Sequence, residues 1–183
     1  LGRATGSNAG KILAKIKSGE AADRRNYRIQ LILERLTGKS QESSFVSKAM
    51  EVGIEREPIA IAAYEAHTGQ LLEQTGFLSH NELMCGASLD GRGRERGLQS
   101  LPDGQVDFET LISIKCRQPA AHYAFLRTGE IPASSLAQMR HELFVTGAKR
   151  HEYVSWNPDF PEKQQLKITR FDADDLDVAD YEG

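Results

Sequence analysis

Two short stretches decide the fold of this chain: residues 86–91, which read GASLDG, and residues 112–116, which read ISIKC. The first is typical of a strand that ends in an Asp-Gly turn at Asp90. The second closes a longer alternating segment, residues 106–116, whose even positions are mostly apolar. This alternation predicts a strand with one buried face and one face turned toward a site, and it places Lys115 on the second face.

Further helices and strands flank these two stretches. We predict helices over residues 7–17, 22–37, 46–67, 120–128 and 134–146, with a kink or a restart of the third helix at Pro58. We predict further strands over residues 71–78, 84–89, 152–156 and 166–171, and a hairpin loop over residues 92–104. This order of elements indicates an α+β chain with a central mixed sheet.

Length and composition indicate a single domain over residues 1–183, with an acidic tail from about residue 171. A hydrophobic content of 39% beside 27% charged residues fits a soluble globular protein. No apolar run is long enough to cross a bilayer, and we find no signal-peptide pattern at the N-terminus. Cys85 and Cys116 are predicted to be ordinary core thiols of a reduced cytoplasmic protein.

Charge is distributed unevenly along the chain, although the net charge is only -3. Residues 1–48 carry ten Lys and Arg against four Asp and Glu, and the remainder carries thirteen against twenty-two. A basic first third beside an acidic remainder suits a phosphate-facing surface backed by a carboxylate site. Solvated helix faces would give the same pattern, and charge alone favours that simpler interpretation.

Four side chains are candidates for chemistry. Hydrolysis of a phosphodiester bond with two metal ions needs carboxylates on adjacent strands and a lysine near the attacking water. Asp90 and Lys115 suit two of these positions, and the alternatives are a turn aspartate and a surface lysine. Glu57 and Gln138 lie in predicted helices, where a solvated glutamate and a satisfied polar contact are the alternatives.

The same residues resemble the phage-type alkaline exonucleases, the YqaJ or lambda-exonuclease family. Matching segments follow one another along nearly the whole chain, at residues 2–7, 53–58, 64–65, 86–91, 114–116, 138, 145–147 and 155–158. The resemblance implies a restriction-endonuclease-like core of the PD-(D/E)XK class, a mixed sheet flanked by helices. It also implies Mg²⁺-dependent 5′→3′ digestion of linear double-stranded DNA ends to mononucleotides, in phage recombination.

The resemblance also implies partners and a place of action. We expect a homo-oligomer, a trimer as in some family members, that works beside a single-strand annealing protein. We expect it in the cytoplasm of a bacterial host or a phage-infected cell. No membrane partner is expected.

By position in the family, Asp90 would be the central metal-bridging carboxylate, and the backbone carbonyl of Ile114 would complete one metal's shell. Lys115 would orient the water and help to lower its pKa. Glu57 would hold the two Mg²⁺ ions, for which Mn²⁺ can substitute, directly or through water. Gln138 would stabilise the site or contact DNA.

Phosphate contacts are expected from four further residues. By resemblance, Ser7 would contact the 5′-terminal phosphate near a helix N-terminus, which suits anions. Arg92 and Arg94 belong to a basic loop after Asp90, which would be either a clamp on the DNA backbone or a solvated hairpin tip. Arg117 lies near the family's second phosphate arginine without matching its position.

Ser113 departs from the family, since it stands where a strand glutamate would bind metal. A neutral hydroxyl is a poor Mg²⁺ ligand, and Glu109, on the same strand face, lies about 13 Å away. Either the change was introduced, or the protein is weak or inactive, or another carboxylate moves in. A protein that binds duplex DNA ends without cutting them is therefore the alternative function, and a restriction-type endonuclease is a further one. Ser113→Glu is expected to tighten metal binding.

Overall fold

Within residues 1–41, 47–94 and 110–178, which the computed structural model describes, the strands form two sheets. The helices are α1 (Ala9–Ile12), α2 (Ala22–Thr37), α3 (Lys48–Thr68), α4 (Pro119–Thr128) and α5 (Ala133–Thr146). The strands are β1 (Ala4–Thr5), β2 (Leu71–Glu73), β3 (Phe77–Ser79), β4 (Cys85–Ser88), β5 (Gly91–Arg94), β6 (Thr110–Cys116), β7 (Arg150–Trp156) and β8 (Leu166–Asp172). The larger sheet has the order β2-β5-β6-β7-β8, and the smaller one has the order β1-β4-β3.

Strand β6 is the centre of the larger sheet. It pairs in parallel with β7 along its whole length and antiparallel with β5. One face of β6 packs against Ala60 and Tyr64 of α3, and the other belongs to a cluster with residues of α4 and α5. Leu111 and Ile112, which lie on opposite faces, are 0% and 1% exposed. Helices therefore cover both faces, as parallel pairing requires, and the predicted α+β architecture of a mixed sheet flanked by helices is confirmed.

Helix ends follow the glycines that sequence analysis relied on. Helix α2 has the predicted bounds and ends at Gly38, whose φ of 65° is left-handed. Helix α3 is one helix from Lys48 to Thr68 and contains Pro58, so it does not restart at the proline. The predicted helix over residues 7–17 is wrong: a 3₁₀ turn at Gly6–Asn8 leads into the four-residue α1. Ile12 and Leu13 are partly buried, but Ile16, beyond the end of α1, is 56% exposed, so the chain gains little from continuing the helix to residue 17.

Two strand predictions need correction. The predicted strand over residues 71–78 is two strands, because β2 pairs with β5 and β3 pairs with β4 in the other sheet. The predicted loop from residue 92 is wrong at its start, since Gly91–Arg94 forms β5 between β2 and β6. Residues 95–104 of that loop and residues 106–109 of the predicted strand lie outside the described residues.

The acidic segment after β8 begins as structure rather than as a free tail. Ala173–Leu176 forms a 3₁₀ turn that is capped by Asp172, and Leu176 is buried in the cluster below α5. Among the helices of the described residues, none has the length and apolarity needed to cross a membrane.

Candidate functional site

Asp90 lies where the chain passes from the smaller sheet into the larger one, between β4 and β5. Its Oδ2 atom accepts hydrogen bonds from the backbone N–H of Ile114 at 3.0 Å and from Nζ of Lys115 at 3.4 Å. The side chains of Asp90 and Lys115 are 24% and 29% exposed. The structure thus brings together three of the residues singled out in the sequence, at an end of β6 that solvent reaches.

Lys115 carries an ammonium group held by negative charge. Burial lowers its pKa, but the charges of Asp90 and Glu142 and the hydrogen bond with Asp90 outweigh burial and raise the pKa overall. Lys115 is therefore a cation at neutral pH. It can orient and stabilise negatively charged groups, and it cannot act as a base there.

Glu57 reaches this region from helix α3, on which it is half-buried. Burial raises the pKa of its carboxyl group, the charge of Asp90 raises it further, and Lys115 acts in the opposite sense. Glu57 is thus within electrostatic reach of both members of the Asp90–Lys115 pair. Since the charge of Asp90 opposes ionisation of Glu57, a cation beside the two carboxylates would relieve this repulsion.

Ser113 does not face an open site. Its side chain is 2% exposed, and its hydroxyl donates to Oε2 of Glu142 at 3.3 Å. Gln138 donates to Oε1 of the same carboxylate at 2.7 Å, and Nε2 of His151 lies 2.7 Å from Oε2. The expectation that this whole face of β6 opens onto a site is wrong, because α5 covers the face up to Lys115.

Glu142 was not singled out from the sequence. The available signal is weak: Glu142 follows Gln138 by four residues and so shares its face of α5. Gly6 of the N-terminal turn packs on the same two side chains, since a Cβ there would come within 3.5 Å of both. The N-terminal segment therefore lies beside the Gln138–Glu142 face of α5.

The side chains that could bind a metal ion form only an incomplete ligand set in the described part of the chain. No three His, Cys, Asp or Glu residues there are grouped so that they could hold one ion. Asp90 and Glu57 nevertheless offer carboxylate oxygens, and Ile114 offers a backbone carbonyl. These hard oxygens are the donors that Mg²⁺ prefers, so the residues fit the ion in type.

Ser7, the first candidate for phosphate binding, lies in the N-terminal 3₁₀ turn. Ser7 is exposed in the N-terminal turn, with Oγ 3.3 Å from Oγ1 of Thr5. It does not cap a helix as expected, because α1 has only four residues and starts after Asn8. It follows Gly6, which packs on the Gln138–Glu142 face of α5.

Arg92 and Arg94 lie in a strand rather than in the predicted loop. Arg92 lies in β5, where its Nη2 atom is 2.5 Å from Oε1 of Glu73 and its side chain is 13% exposed. The backbone of Arg94 pairs with that of Leu71 in β2, and its side chain lies outside the description. The predicted basic loop at these two residues is therefore corrected to a strand.

Arg117, just after β6, is held by aromatic residues. Its Nε donates to the hydroxyl of Tyr153 at 3.0 Å, and its guanidinium lies 5.8 Å from the ring centre of Phe125. Such a cation–π environment fixes a guanidinium in place. Arg117 is thus held in one orientation by contacts within the protein.

Residues 1–149 match the family model described as the YqaJ-like viral recombinase domain. The chain belongs to this family. No curated protein matches the chain. The solved structures similar to this YqaJ-family chain include LHK-Exo, an alkaline exonuclease from Laribacter hongkongensis, and its complex with dAMP. Each is 31% identical, with a TM-score of 0.81 over 100% of this chain and 83% of that chain.

A phage-related exonuclease from Haemophilus somnus 129PT is also similar, at 13% identity and a TM-score of 0.65, over 97% of this chain and 87% of that one. At that identity the likeness concerns the fold alone. Together with LHK-Exo it confirms the restriction-endonuclease-like core. The predicted membership in the phage-type alkaline exonuclease family is confirmed as well.

Proposed function

We propose that this chain is a Mg²⁺-dependent exonuclease that digests linear double-stranded DNA in the 5′→3′ direction and releases mononucleotides during phage recombination. The contact between Asp90 and Lys115 beside Glu57 carries the proposal. It sits in a chain of the YqaJ family whose relative LHK-Exo was crystallised with dAMP, a nucleoside monophosphate. That ligand belongs to the product class that the proposal requires.

Three groups of the chain would hold Mg²⁺, or Mn²⁺ in its place: the carboxylates of Asp90 and Glu57 and the carbonyl of Ile114. The set is proposed to take two ions when complete. When bound, the ions supply Lewis-acid polarisation of the phosphoryl oxygen and a more acidic water. The raised pKa of Glu57 supports this assignment, because a cation would relieve its repulsion by Asp90.

The work of Lys115 follows from its charge. Held by Asp90, its ammonium would orient the attacking water and stabilise the negative charge that develops at the phosphate. Gln138 donates a hydrogen bond to Glu142, so its proposed role is to hold the Glu142 side chain in place on α5. The part of the Gln138 side chain that solvent reaches would be free to contact DNA.

Ser7 and Arg117 are proposed to contact phosphates at the DNA end. Ser7 is exposed and follows Gly6, which packs on the Gln138–Glu142 face, and Arg117 is oriented by Tyr153. For Arg92 and Arg94 a DNA contact stays a prediction, and the ion pair of Arg92 with Glu73 competes with it. A homotrimer and a single-strand annealing partner are part of the same proposal.

One observation favours a second function, a protein that binds duplex ends without cutting them. Ser113 is a buried neutral residue where the family's metal glutamate is expected, and the described residues contain no complete metal group. A nuclease fold with a weakened metal site would keep its grip on DNA and lose cleavage.

Digestion of a linear duplex with a 5′-phosphate, beside a closed circle of the same sequence, decides between these functions. We expect Mg²⁺-dependent release of mononucleotides from the linear DNA, none from the circle, and none with EDTA. Asp90→Ala should abolish release, whereas Asp23→Ala, at an exposed position on α2, should leave it unchanged. DNA-end binding without cleavage would establish the second function, and cutting of the circle would establish an endonuclease.

A further inference from the structure

The Glu142 carboxylate lies against Ser113, the position at which the family resemblance implies a metal-binding glutamate. Ser113 and Glu142 touch at 3.3 Å although 29 residues separate them, and both are about 2% exposed. A glutamate at 113 would therefore bring a second carboxylate against the first in a dry environment. Two carboxylates in contact cannot both keep their charge unless a cation or a proton lies between them. This region accommodates one such group, which here is carried by α5.

Three side chains hold the carboxylate of Glu142. Its contacts are an amide from Gln138, a hydroxyl from Ser113 and a ring nitrogen from His151. Nδ1 of His151 is buried and finds no hydrogen-bond partner among the described residues, which assigns the proton that faces Glu142 to Nε2. No lysine or arginine of the described residues forms an ion pair with this carboxylate.

Lys115 lies on the same face of β6 as Ser113, two residues further along the strand. Asp90 contacts this lysine at 3.4 Å, and Glu142 contacts Ser113 at 3.3 Å. Two carboxylates thus reach one face of β6 from two elements, the β4–β5 junction and α5. This arrangement directs Oε2 of Glu142 toward the side of the strand from which the lysine projects.

We infer that Glu142 supplies from helix α5 the metal-binding carboxylate that Ser113 does not supply from strand β6. The inference rests on the proposed metal-dependent nuclease and adds a fourth group to its ligands. In the ion-free arrangement no three such residues of the described chain form one group, so Glu142 would join Asp90 and Glu57 when the ion binds. His151 is the positioning residue, since its Nε2 fixes Oε2 of Glu142. Ser113 is then the residue that makes room for this carboxylate rather than a lesion in the site.

This inference reverses the expectation for Ser113→Glu. On its own that change adds a second buried carboxylate beside Glu142, so it should lower the melting temperature in EDTA and should not repair the site. The combined change Ser113→Glu with Glu142→Ser moves the carboxylate from the helix back to the strand. It conserves the number of charges and should restore both stability and metal binding.

Mn²⁺ binding to the protein without DNA, measured by titration calorimetry, tests the inference apart from activity. We expect Glu142→Gln to weaken binding at least tenfold, whereas Glu130→Gln, an exposed glutamate in the loop after α4, should leave it unchanged. The swapped double variant should bind Mn²⁺ within about threefold of the original protein. Circular dichroism and thermal melting establish that each variant is folded.

Two results would overturn the inference: a folded Glu142→Gln protein that binds Mn²⁺ normally, or a folded double variant that does not bind it. If Glu142→Gln fails to fold, the double variant alone decides, since it keeps one carboxylate in the contact. Asp90→Asn separates this outcome from failure of the proposed function. If Asp90→Asn loses Mn²⁺ binding and Glu142→Gln keeps it, the inferred role of Glu142 is refuted and the proposed metal site at Asp90 is retained. If both variants bind Mn²⁺ normally, the proposed metal site itself is refuted.

Discussion

The Asp90–Lys115 ion pair should stabilise the metal-free protein by an amount that a double-mutant cycle can measure. We consider Asp90→Asn, Lys115→Met and the two changes together, because asparagine can still accept the hydrogen bond from the backbone N–H of Ile114. The cycle therefore isolates the interaction between the carboxylate and the ammonium.

The size of the coupling follows from exposure and distance. Ion pairs in full contact with water contribute about 0.2–1 kcal/mol, and breaking a buried pair costs about 3–5 kcal/mol. The Asp90 and Lys115 side chains are 24% and 29% exposed, and their atoms lie 3.4 Å apart. We therefore expect a coupling free energy of about 1–2 kcal/mol. Asp90→Asn alone should cost less, since it also relieves the repulsion of Glu57.

Urea unfolding in EDTA at pH 7, followed by circular dichroism, is the assay. The Arg150–Asp172 pair is a matched control, because it has the same 3.4 Å separation but its side chains are 57% and 70% exposed. Its coupling should stay below about 0.5 kcal/mol. A coupling for Asp90–Lys115 no larger than that of the control would refute the reasoning, since burial would then add nothing to the pair.

Three further predictions concern stability. Glu57→Gln should raise the melting temperature in EDTA at pH 7 by on the order of 2 °C. Because the folded-state pKa of Glu57 is raised, this gain should vanish below its ordinary value of 4.5, and a gain independent of pH would contradict it. Gly86→Ala should destabilise the smaller sheet by about 1–3 kcal/mol in urea unfolding, since its Cβ would come 2.4 Å from the carbonyl of Leu78. Tyr64→Phe should cost about 1–2 kcal/mol in the same assay, because buried Glu152 loses a 2.7 Å hydrogen bond; an unchanged midpoint would argue against that bond.

The sequence predicted the elements whose signals are local. Helix α2 was located to the residue because an apolar stripe meets a left-handed glycine at Gly38. The pattern of α2 is complete within residues 22–38, so no distant part of the chain is needed to interpret it. The approach of Asp90 to Lys115 spans 25 residues, and it was expected because two-metal hydrolysis needs a carboxylate and a lysine on adjacent strands.

The features that were missed depend on distant partners. Gly91–Arg94 has the composition of a turn, and it becomes a strand only because β2 and β6 pair with it on either side. The 71–78 segment splits because its two halves pair in different sheets. Glu142 was missed because its contact with Ser113 spans 29 residues, and nothing near either residue indicates it.

The position of Asp90 between the two sheets has a consequence for folding during synthesis on the ribosome. The groups proposed for chemistry lie at residues 57, 90, 115 and 142, on separate elements, and β6 needs β7 as its parallel neighbour. Contacts of such long sequence separation form slowly and late in folding. A chain still emerging from the ribosome would carry every helix up to α3 and no assembled site. The cleavage activity proposed for this chain would thus arise only once the chain has been completed through β7.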